Sequence, residues 1–239
     1  MAAIAIRGLT RVHQAAWGPV AALGPLDLDI ASGEVVAVIG PSGCGKSTLL
    51  RLIAGLDAPT TGTVAFAAGR PRIGMVFQDN RLLPWLDVAG NVGLPLRIAG
   101  VPRAARAARA RALCADVGLA GFEDHWPATL SGGMAQRAAL ARAFAQDPDI
   151  LLLDEPFAAL DAITRARMNA ELRGHCRRLG ATVLLVTHAL DEAAALADRI
   201  VVLTGRPGQV ARIARMHKAG PGGTSDGLIA DLARGLADA

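Results

Sequence analysis

Residues 40–48 read Gly40-Pro41-Ser42-Gly43-Cys44-Gly45-Lys46-Ser47-Thr48. This is the spacing G-x-x-x-x-G-K-[ST], in which glycines let backbone N–H groups turn toward phosphate oxygens. The chain has 25 Lys and Arg residues, only two of them are lysines, and one of the two is Lys46. A compact ammonium fits between phosphates where the broad guanidinium of arginine does not. The pattern therefore predicts that the chain binds a nucleoside triphosphate.

The residues on either side of this loop predict the strand and the helix that it requires. Residues 35–39 form an apolar, β-branched run typical of a buried strand, and residues 47–55 predict a helix closed by Gly55. The N-terminus of such a helix adds partial positive charge where phosphates bind. The alternative is a glycine-rich turn without a ligand, and the order strand, loop, helix argues against it.

The fold class follows from how apolar runs alternate with helical patterns. Strand-like runs at 150–153, 182–186 and 200–203 are separated by helical sequence, which predicts an α/β protein with a mainly parallel sheet flanked by helices. Alanine-rich sequence between about 87 and 130 predicts a helical subdomain. Residues 219–227 contain a proline and four glycines and predict a loop before a short amphipathic C-terminal helix.

The N-terminal part of the chain has a different pattern. Short alternating runs at 4–9, 26–30 and 63–67 predict an antiparallel β subdomain beside the main sheet. The dipeptides Ser32-Gly33 and Thr61-Gly62 are expected to form turns between these strands.

Composition excludes several classes of protein. No uncharged apolar stretch is long enough to span a membrane, and the first residues lack the pattern of a secretory signal, so a non-secreted protein is expected. Three widely spaced cysteines predict neither a disulfide framework nor a zinc site. The net charge is +4, but the arginines are scattered and aromatic residues are few, so no nucleic-acid partner is expected.

A pair of carboxylates follows the apolar run at 150–153. Asp154 and Glu155 stand at the carboxyl end of that strand, where ligands bind in open α/β sheets. We expect Asp154 to hold Mg²⁺, directly or through water, and Glu155 to orient or deprotonate an attacking water. The alternative is an ordinary strand end with surface acids.

A second anion site is predicted at residues 131–133. Ser131 is a natural N-cap, and Gly132 and Gly133 leave the first amides of the following helix accessible. No lysine accompanies this site. Because one phosphate chain hardly needs two such loops from the same subunit, we expect each loop to serve a different protomer.

Leu130-Ser131-Gly132-Gly133 resembles the LSGGQ signature of the ATP-binding cassette (ABC) ATPases, and with the two earlier motifs this resemblance covers nearly the whole chain. The resemblance implies the ABC ATPase fold: a phosphate-loop NTPase core, an N-terminal antiparallel β subdomain and an α-helical signature subdomain at about 87–147. The same resemblance implies that residues 1–218 form a nucleotide-binding domain and that residues 219–239 form a short C-terminal extension.

Further roles are implied by the same resemblance. Gln78 is similar to the Q-loop glutamine that senses Mg²⁺ and the attacking water, and His188 to the switch histidine that contacts the γ-phosphate. Ala159-Leu160-Asp161 resembles the D-loop, which crosses the dimer, and Asp161 is therefore expected near the nucleotide. Trp17 lies at the family's usual offset for the aromatic residue that stacks on adenine. Core packing is the alternative for Trp17, because His13 and the flanking alanines allow a shifted alignment.

The implied mechanism uses two copies that close head to tail around ATP and Mg²⁺. Lys46 and the loop amides neutralise the phosphates, and Glu155, His188 and Gln78 act at the γ-phosphate. Ser47, Gln78 and Asp154 are the implied Mg²⁺ ligands. Residues 40–48 of one subunit and residues 131–133 of the other enclose each nucleotide.

The resemblance also implies partners. Residues 78–86 include an apolar cluster that is expected to form a groove for an integral membrane permease, with core packing as the alternative; Trp126 is expected to pack in the core. Several stretches are similar to ATPase subunits of nitrate, sulfonate and taurine importers: residues 82–85, 91–92, 154–161, 198–203 and 206–208. This implies peripheral attachment to the cytoplasmic face of the inner membrane and a periplasmic solute-binding protein. Importers of other small solutes and cytosolic cassette ATPases remain the alternatives.

Overall fold

The structure is a computed structural model that describes residues 2–67, 69–158 and 160–216. The predicted C-terminal loop and helix at 219–239, and Ala159 of the predicted D-loop, lie outside these residues. The strands are β1 (Ala2–Ala15), β2 (Gly18–Ala31), β3 (Val35–Ile39), β4 (Thr61–Phe66), β5 (Ile73–Val76), β6 (Ile150–Asp154), β7 (Thr182–Val186), β8 (Arg199–Leu203) and β9 (Val210–Arg215).

Helices cover both faces of the larger sheet and form most of the segment between β5 and β6. They are α1 (Lys46–Ile53), α2 (Val88–Val92), α3 (Leu94–Ile98), α4 (Arg103–Asp116), α5 (Gly132–Phe144), α6 (Ala162–Leu179) and α7 (Leu190–Leu196). Within the described ranges, no helix combines the length and the apolar character needed to cross a membrane.

The larger sheet has six strands in the order β5-β6-β7-β3-β8-β9, and all except β9 run parallel. Every residue of β6 and β7 is buried, as expected for parallel strands covered on both faces. Strand β7 lies between β3 and β6, and its last residue, Val186, pairs with Val38 and with Asp154. The carboxyl ends of these strands therefore meet at one edge of the sheet.

The edge strands β5 and β9 were not predicted from the apolar runs. Strand β5 has only four residues and includes Gly74, whose added Cβ would lie 2.5 Å from the carbonyl oxygen of Ala143. Strand β9 has two arginines among its six residues, and it pairs antiparallel with β8. Short or charged strands are common at sheet edges, where they give a weak apolar signal.

The smaller sheet is antiparallel, as predicted, with the strand order β2-β1-β4. Its strands β1 and β2 are much longer than the runs that suggested them. The predicted turn at Thr61-Gly62 is wrong, because both residues belong to β4. Gly62 has φ +82°, and an added Cβ would lie 2.3 Å from the carbonyl oxygen of Gly8, next to a register shift between β1 and β4. The glycine therefore marks a β-bulge and not a chain reversal.

Asn91 in α2 organises the segment that precedes that helix. Its side chain is fully buried. The amide oxygen accepts a hydrogen bond from the backbone N–H of Leu83 at 2.7 Å, and the amide nitrogen donates to the carbonyl oxygens of Leu83, Leu86 and Asp87 at 3.1, 3.0 and 3.0 Å. One side chain thus supplies hydrogen-bond partners to backbone groups in residues 83–87, the irregular segment that leads into α2.

We expect Asn91→Ala to lower the free energy of unfolding by about 3 kcal/mol, because the N–H of Leu83 and the carbonyl oxygen of Leu86 lose the hydrogen bonds that this buried side chain supplies. Urea unfolding followed by circular dichroism measures the change. Asn80→Ala is the matched control, since its side chain accepts a single bond, from the N–H of Leu82, and is partly exposed. Equal effects of the two substitutions would contradict the role given to Asn91.

Candidate nucleotide-binding site

The phosphate loop connects β3 to α1 at the carboxyl edge of the larger sheet. Gly43 and Gly45 have φ values of +77° and +100°, which disfavour any residue with a side chain. A Cβ on Gly45 would also lie 2.6 Å from the carbonyl oxygen of Ala22 in β2. The backbone of the loop is therefore shaped by the glycines that the sequence pattern requires.

Lys46 is the first residue of α1, and it is only 7% exposed. Its ammonium nitrogen donates to the carbonyl oxygens of Gly40 and Pro41 at 2.7 and 2.9 Å and lies 3.9 Å from the sulfur of Cys44. In the described part of the chain, no carboxylate lies within 4 Å of this ammonium. Its charge is thus held inside the loop without a neutralising ion pair.

Ser47 and Asp154 join the phosphate loop to the end of β6. The Ser47 hydroxyl donates to Oδ1 of Asp154 at 3.0 Å. Asp154 is 6% exposed, and this burial raises its pKa above the ordinary value, while the hydrogen bond from Ser47 acts in the opposite direction. The pair presents oxygen ligands of the kind that Mg²⁺ prefers.

Glu155 follows directly and turns away from the strand direction. Its φ of +47° is unusual for a residue other than glycine, and its N–H donates to the carbonyl oxygen of Val186 at 2.9 Å. One carboxylate oxygen lies 3.3 Å from Nδ1 of His188, which follows β7. Backbone strain of this type is common where a side chain must be aimed into a site.

The loop that carries His188 is supported from behind by a buried polar pair. The Thr187 hydroxyl donates to a carboxylate oxygen of Glu192 and accepts a hydrogen bond from the N–H of Ala189 at 3.0 Å. Thr187 and Glu192 are 1% and 3% exposed, and burial raises the pKa of Glu192. Sequence reasoning did not find this pair, because neither residue belongs to a motif that was recognised.

A cavity of about 370 Å³ opens above the loop. Most of its lining residues were predicted from the sequence: they are Ser42, Gly43, Gly45, Lys46, Ser47, Thr48, Gln78 and Glu155. Asp154 accepts a hydrogen bond from Ser47, His188 lies beside Glu155, and the carbonyl oxygens of Gly40 and Pro41 accept from Lys46. The structure therefore brings the predicted phosphate, metal and γ-phosphate residues together.

Other predicted residues do not line this cavity. Trp17 stands at the tip of the β1–β2 hairpin and is 86% exposed, so it is neither packed in the core nor part of the lining. Ser131 caps α5 through the N–H of Met134, and both it and Gly132 are exposed. Asp161 caps α6 by accepting from the N–H groups of Ile163 and Thr164, and these bonds lower its pKa.

The lining also includes His13, Ala22 and Arg206, which the sequence did not single out as site residues. His13 and Arg206 lie outside the phosphate-binding, carboxylate and signature motifs. Both come from segments distant in sequence from the phosphate loop, so only the three-dimensional fold reveals their position.

A sequence profile described as ABC transporter matches residues 23–158, which is more than half of the chain. The chain belongs to the ABC transporter family. An aliphatic sulfonates import ATP-binding protein of Burkholderia lata is 46% identical to it over 234 residues, covering 96% of this chain and 84% of that protein. A taurine import ATP-binding protein of Burkholderia pseudomallei is 46% identical over 216 residues, covering 88% of this chain and 83% of that protein.

A solved structure supports the same assignment. It is described as the dimeric structure of a post-hydrolysis state of the ATP-binding cassette MJ0796 bound to ADP and Pi. It superposes on this ABC transporter protein with a TM-score of 0.81 at 33% identity, covering 90% of this chain and all of that one. The predicted family and the predicted fold class are thereby confirmed.

The buried Asp154 should reduce stability in a pH-dependent way. Below its ordinary pKa of 3.8 the carboxyl is protonated in the folded and the unfolded chain alike, so no cost arises. Above that pH the unfolded chain ionises first, and the free energy of unfolding falls until the folded carboxyl ionises too. Asp154→Asn removes the free-energy cost of ionising this buried carboxyl, and the amide keeps an oxygen that accepts the hydrogen bond from Ser47.

We therefore expect Asp154→Asn to be more stable than the wild-type protein at pH 7, with the difference shrinking as the pH is lowered toward 4. Thermal unfolding without nucleotide, measured at several pH values, tests this. Asp149→Asn is the control, because Asp149 is half exposed and its hydrogen bonds with Arg72 lower its pKa. A pH-independent difference for Asp154→Asn would contradict the assignment.

Proposed function

We propose that this chain is the ATP-hydrolysing subunit of an ABC import system, in which ATP closes a head-to-tail dimer and hydrolysis reopens it. The observation that carries the proposal is the meeting of Lys46, Ser47 and Glu155 at one cavity, where Asp154 accepts a hydrogen bond from Ser47 and Nδ1 of His188 lies 3.3 Å from the Glu155 carboxylate. A loop for phosphates, oxygen ligands for a cation and a carboxylate for water are the parts that triphosphate hydrolysis needs.

The phosphate chain of ATP is the substrate group that fits the loop. The Lys46 ammonium already sits among oxygen acceptors, so phosphate oxygens replace the carbonyls of Gly40 and Pro41 at little geometric cost. The start of α1 and the glycine-shaped backbone present N–H groups toward the same place. These groups stabilise negative charge that increases on the phosphoryl oxygens during transfer.

Magnesium fits this site as part of the nucleotide complex. The described residues contain no group of three or more His, Cys, Asp or Glu side chains arranged to hold a metal ion. Mg²⁺ commonly uses one or two protein oxygens together with substrate phosphates and water, and Ser47 and Asp154 would supply those protein oxygens, with Gln78 near them on the cavity wall. When bound, the ion would neutralise charge on the phosphate chain.

Glu155 and His188 act at the γ-phosphate end. The Glu155 carboxylate is positioned to accept a proton from the attacking water, because its strained backbone and its contact with His188 fix its direction. His188 follows β7 on the loop held by Thr187 and Glu192. It then stabilises charge on the transferred group while Glu155 holds the proton.

The dimer supplies the remaining wall of the site. Ser131 and Gly132 lie exposed at the start of α5, outside the cavity of their own chain, and Ile163 beside Asp161 is 85% exposed. In a head-to-tail pair, residues 131–133 of a second copy would face the γ-phosphate. The solved relative described above is itself dimeric, which supports the formation of a dimer.

The surface for the permease lies on the helical part of the chain. Trp85, Phe122 and Trp126 are 68%, 38% and 52% exposed, so the expected core position of Trp126 is wrong. Their segments are adjacent, because the N–H groups of Val88 and Ala89 donate to the carbonyl oxygens of His125 and Glu123. Exposed aromatic groups concentrated in one region favour a binding surface.

The cargo is inferred from the relatives. Proteins named for aliphatic sulfonates and taurine match nearly the full length of this chain. We infer import of a small anion such as nitrate, a sulfonate or taurine, delivered by a periplasmic solute-binding protein to a permease in the inner membrane. The chain would sit on the cytoplasmic face of that permease.

We expect Glu155→Gln to bind ATP normally but to hydrolyse it at least about 100-fold more slowly, because the proton acceptor is lost. Phosphate release measures the rate, and gel filtration with ATP should show a persistent dimer. Glu171→Gln is the control, since Glu171 pairs with Arg167 on the exposed face of α6. Near-normal turnover in Glu155→Gln would exclude the role given to Glu155.

We expect Trp85→Ala to reduce recovery of a membrane permease with the affinity-purified chain, and to leave ATP binding unchanged. Ile98→Ala is the control, because Ile98 is 79% exposed on α3. Recovery of ribosomes or DNA in place of a permease would support a cytosolic cassette ATPase and contradict the import function.

A further inference from the structure

The turn between β8 and β9, at residues 204–209, forms a wall of the nucleotide cavity. Gly208 lies so close to the phosphate loop that an added Cβ would be 2.0 Å from the carbonyl oxygen of Cys44. The Gly208 N–H donates to the carbonyl oxygen of Ala22 at 3.1 Å, and its own carbonyl oxygen accepts from the N–H of Gly24 at 3.0 Å. The turn is thus fixed against both β2 and the loop.

Hydrogen bonds within the turn also restrict its shape. The Thr204 hydroxyl lies within hydrogen-bonding distance of the carbonyl oxygens of Gly205 and Pro207, and it accepts from the N–H of Gln209 at 3.0 Å. The N–H of Thr204 donates to the carbonyl oxygen of Gln209 at 2.9 Å. The backbone from which Arg206 projects is therefore held in a defined position.

Arg206 projects from the turn into the cavity. Its Nε donates to the carbonyl oxygen of Gly43, in the phosphate loop, at 3.2 Å. An added Cβ on Gly43 would lie 3.6 Å from Nη2 of Arg206, so the guanidinium spreads directly over the loop. It lines the same cavity as Lys46 and Thr48.

The terminal N–H groups of the Arg206 guanidinium are available to bind a ligand. Over the described ranges, no carboxylate lies within 4 Å of it, and the bond to Gly43 uses only Nε. Both terminal nitrogens therefore keep their N–H groups for a further acceptor. A planar fork with free donors matches two oxygens of one phosphate group, or oxygens of neighbouring phosphates.

We propose that Arg206 binds the phosphate chain of the nucleotide as a second cation beside Lys46. The inference rests on the proposed nucleotide site and deepens it. Lys46 approaches from within the loop, whereas Arg206 approaches over its outer side from a different part of the chain. The loop carbonyl of Gly43 orients the guanidinium before the nucleotide arrives, which lowers the entropic cost of the contact.

The test compares Arg206→Gln, Arg206→Lys and Lys46→Ala in the full chain, with binding of ATP and of adenosine measured by competition against a fluorescent ATP analogue in the presence of Mg²⁺. Arg206→Gln should weaken ATP binding about tenfold, the effect of losing a charge-assisted hydrogen bond. It should leave adenosine binding unchanged. Arg206→Lys should recover part of the affinity, because it keeps the charge and loses the fork.

Arg215→Gln is the matched control, since Arg215 is exposed at the far end of β9 and should not affect ATP binding. Equal ATP affinity of Arg206→Gln and the wild-type protein, with Lys46→Ala impaired, overturns the role of Arg206 and leaves the nucleotide site in place. Unimpaired binding by Lys46→Ala overturns the nucleotide site itself. Equal losses for ATP and adenosine in Arg206→Gln overturn the phosphate contact in favour of a contact with the nucleoside.

Discussion

Parallel pairing of β7 with both β3 and β6 is the constraint on which the site depends. Because Val186 pairs with Val38 on one side and with Asp154 on the other, the three strands end at the same level. The phosphate loop, the Asp154–Glu155 pair and the His188 loop follow these ends directly. A shift of one residue in either pairing would move a functional side chain to the opposite face of the sheet.

The site contains two buried carboxyl groups, Asp154 and Glu192, whose ionisation reduces the stability of the fold. Burial raises the pKa values of Asp154 and Glu192, so each costs free energy when it is ionised. Asp154 is partly compensated by the hydroxyl of Ser47, and Glu192 by that of Thr187. These hydroxyls also belong to the loops that carry the functional groups. The same hydrogen bonds therefore reduce the cost of the buried acids and fix the loops that must meet the nucleotide.

Sequence predicted those parts of the site that follow strongly apolar strands. Glycine spacing identified the phosphate loop, and the position of Asp154 after a buried run placed it at the carboxyl edge of the sheet. Prediction was weaker wherever a side chain reaches the site from a distant segment. His13 lines the cavity and Trp17 does not, because the long β1–β2 hairpin extends its tip away from the loop. The position of Arg206 depends on how the β8–β9 turn packs against the phosphate loop. The conformation of Gly62 depends on a bulge between two strands. Local sequence patterns encode neither.

A half-buried arginine joins the two surfaces proposed to meet other molecules. Arg142 lies on α5, the helix that begins after Ser131, and burial lowers its pKa. Its guanidinium donates to the carbonyl oxygens of Asn80 and Arg81 at 2.6 and 2.7 Å, in the segment that runs from Gln78 toward the exposed Trp85. Both bonds hold α5 against this segment. If a second copy displaces α5 as it closes over the nucleotide in the proposed dimer, the displacement would therefore reach the surface proposed to meet the permease.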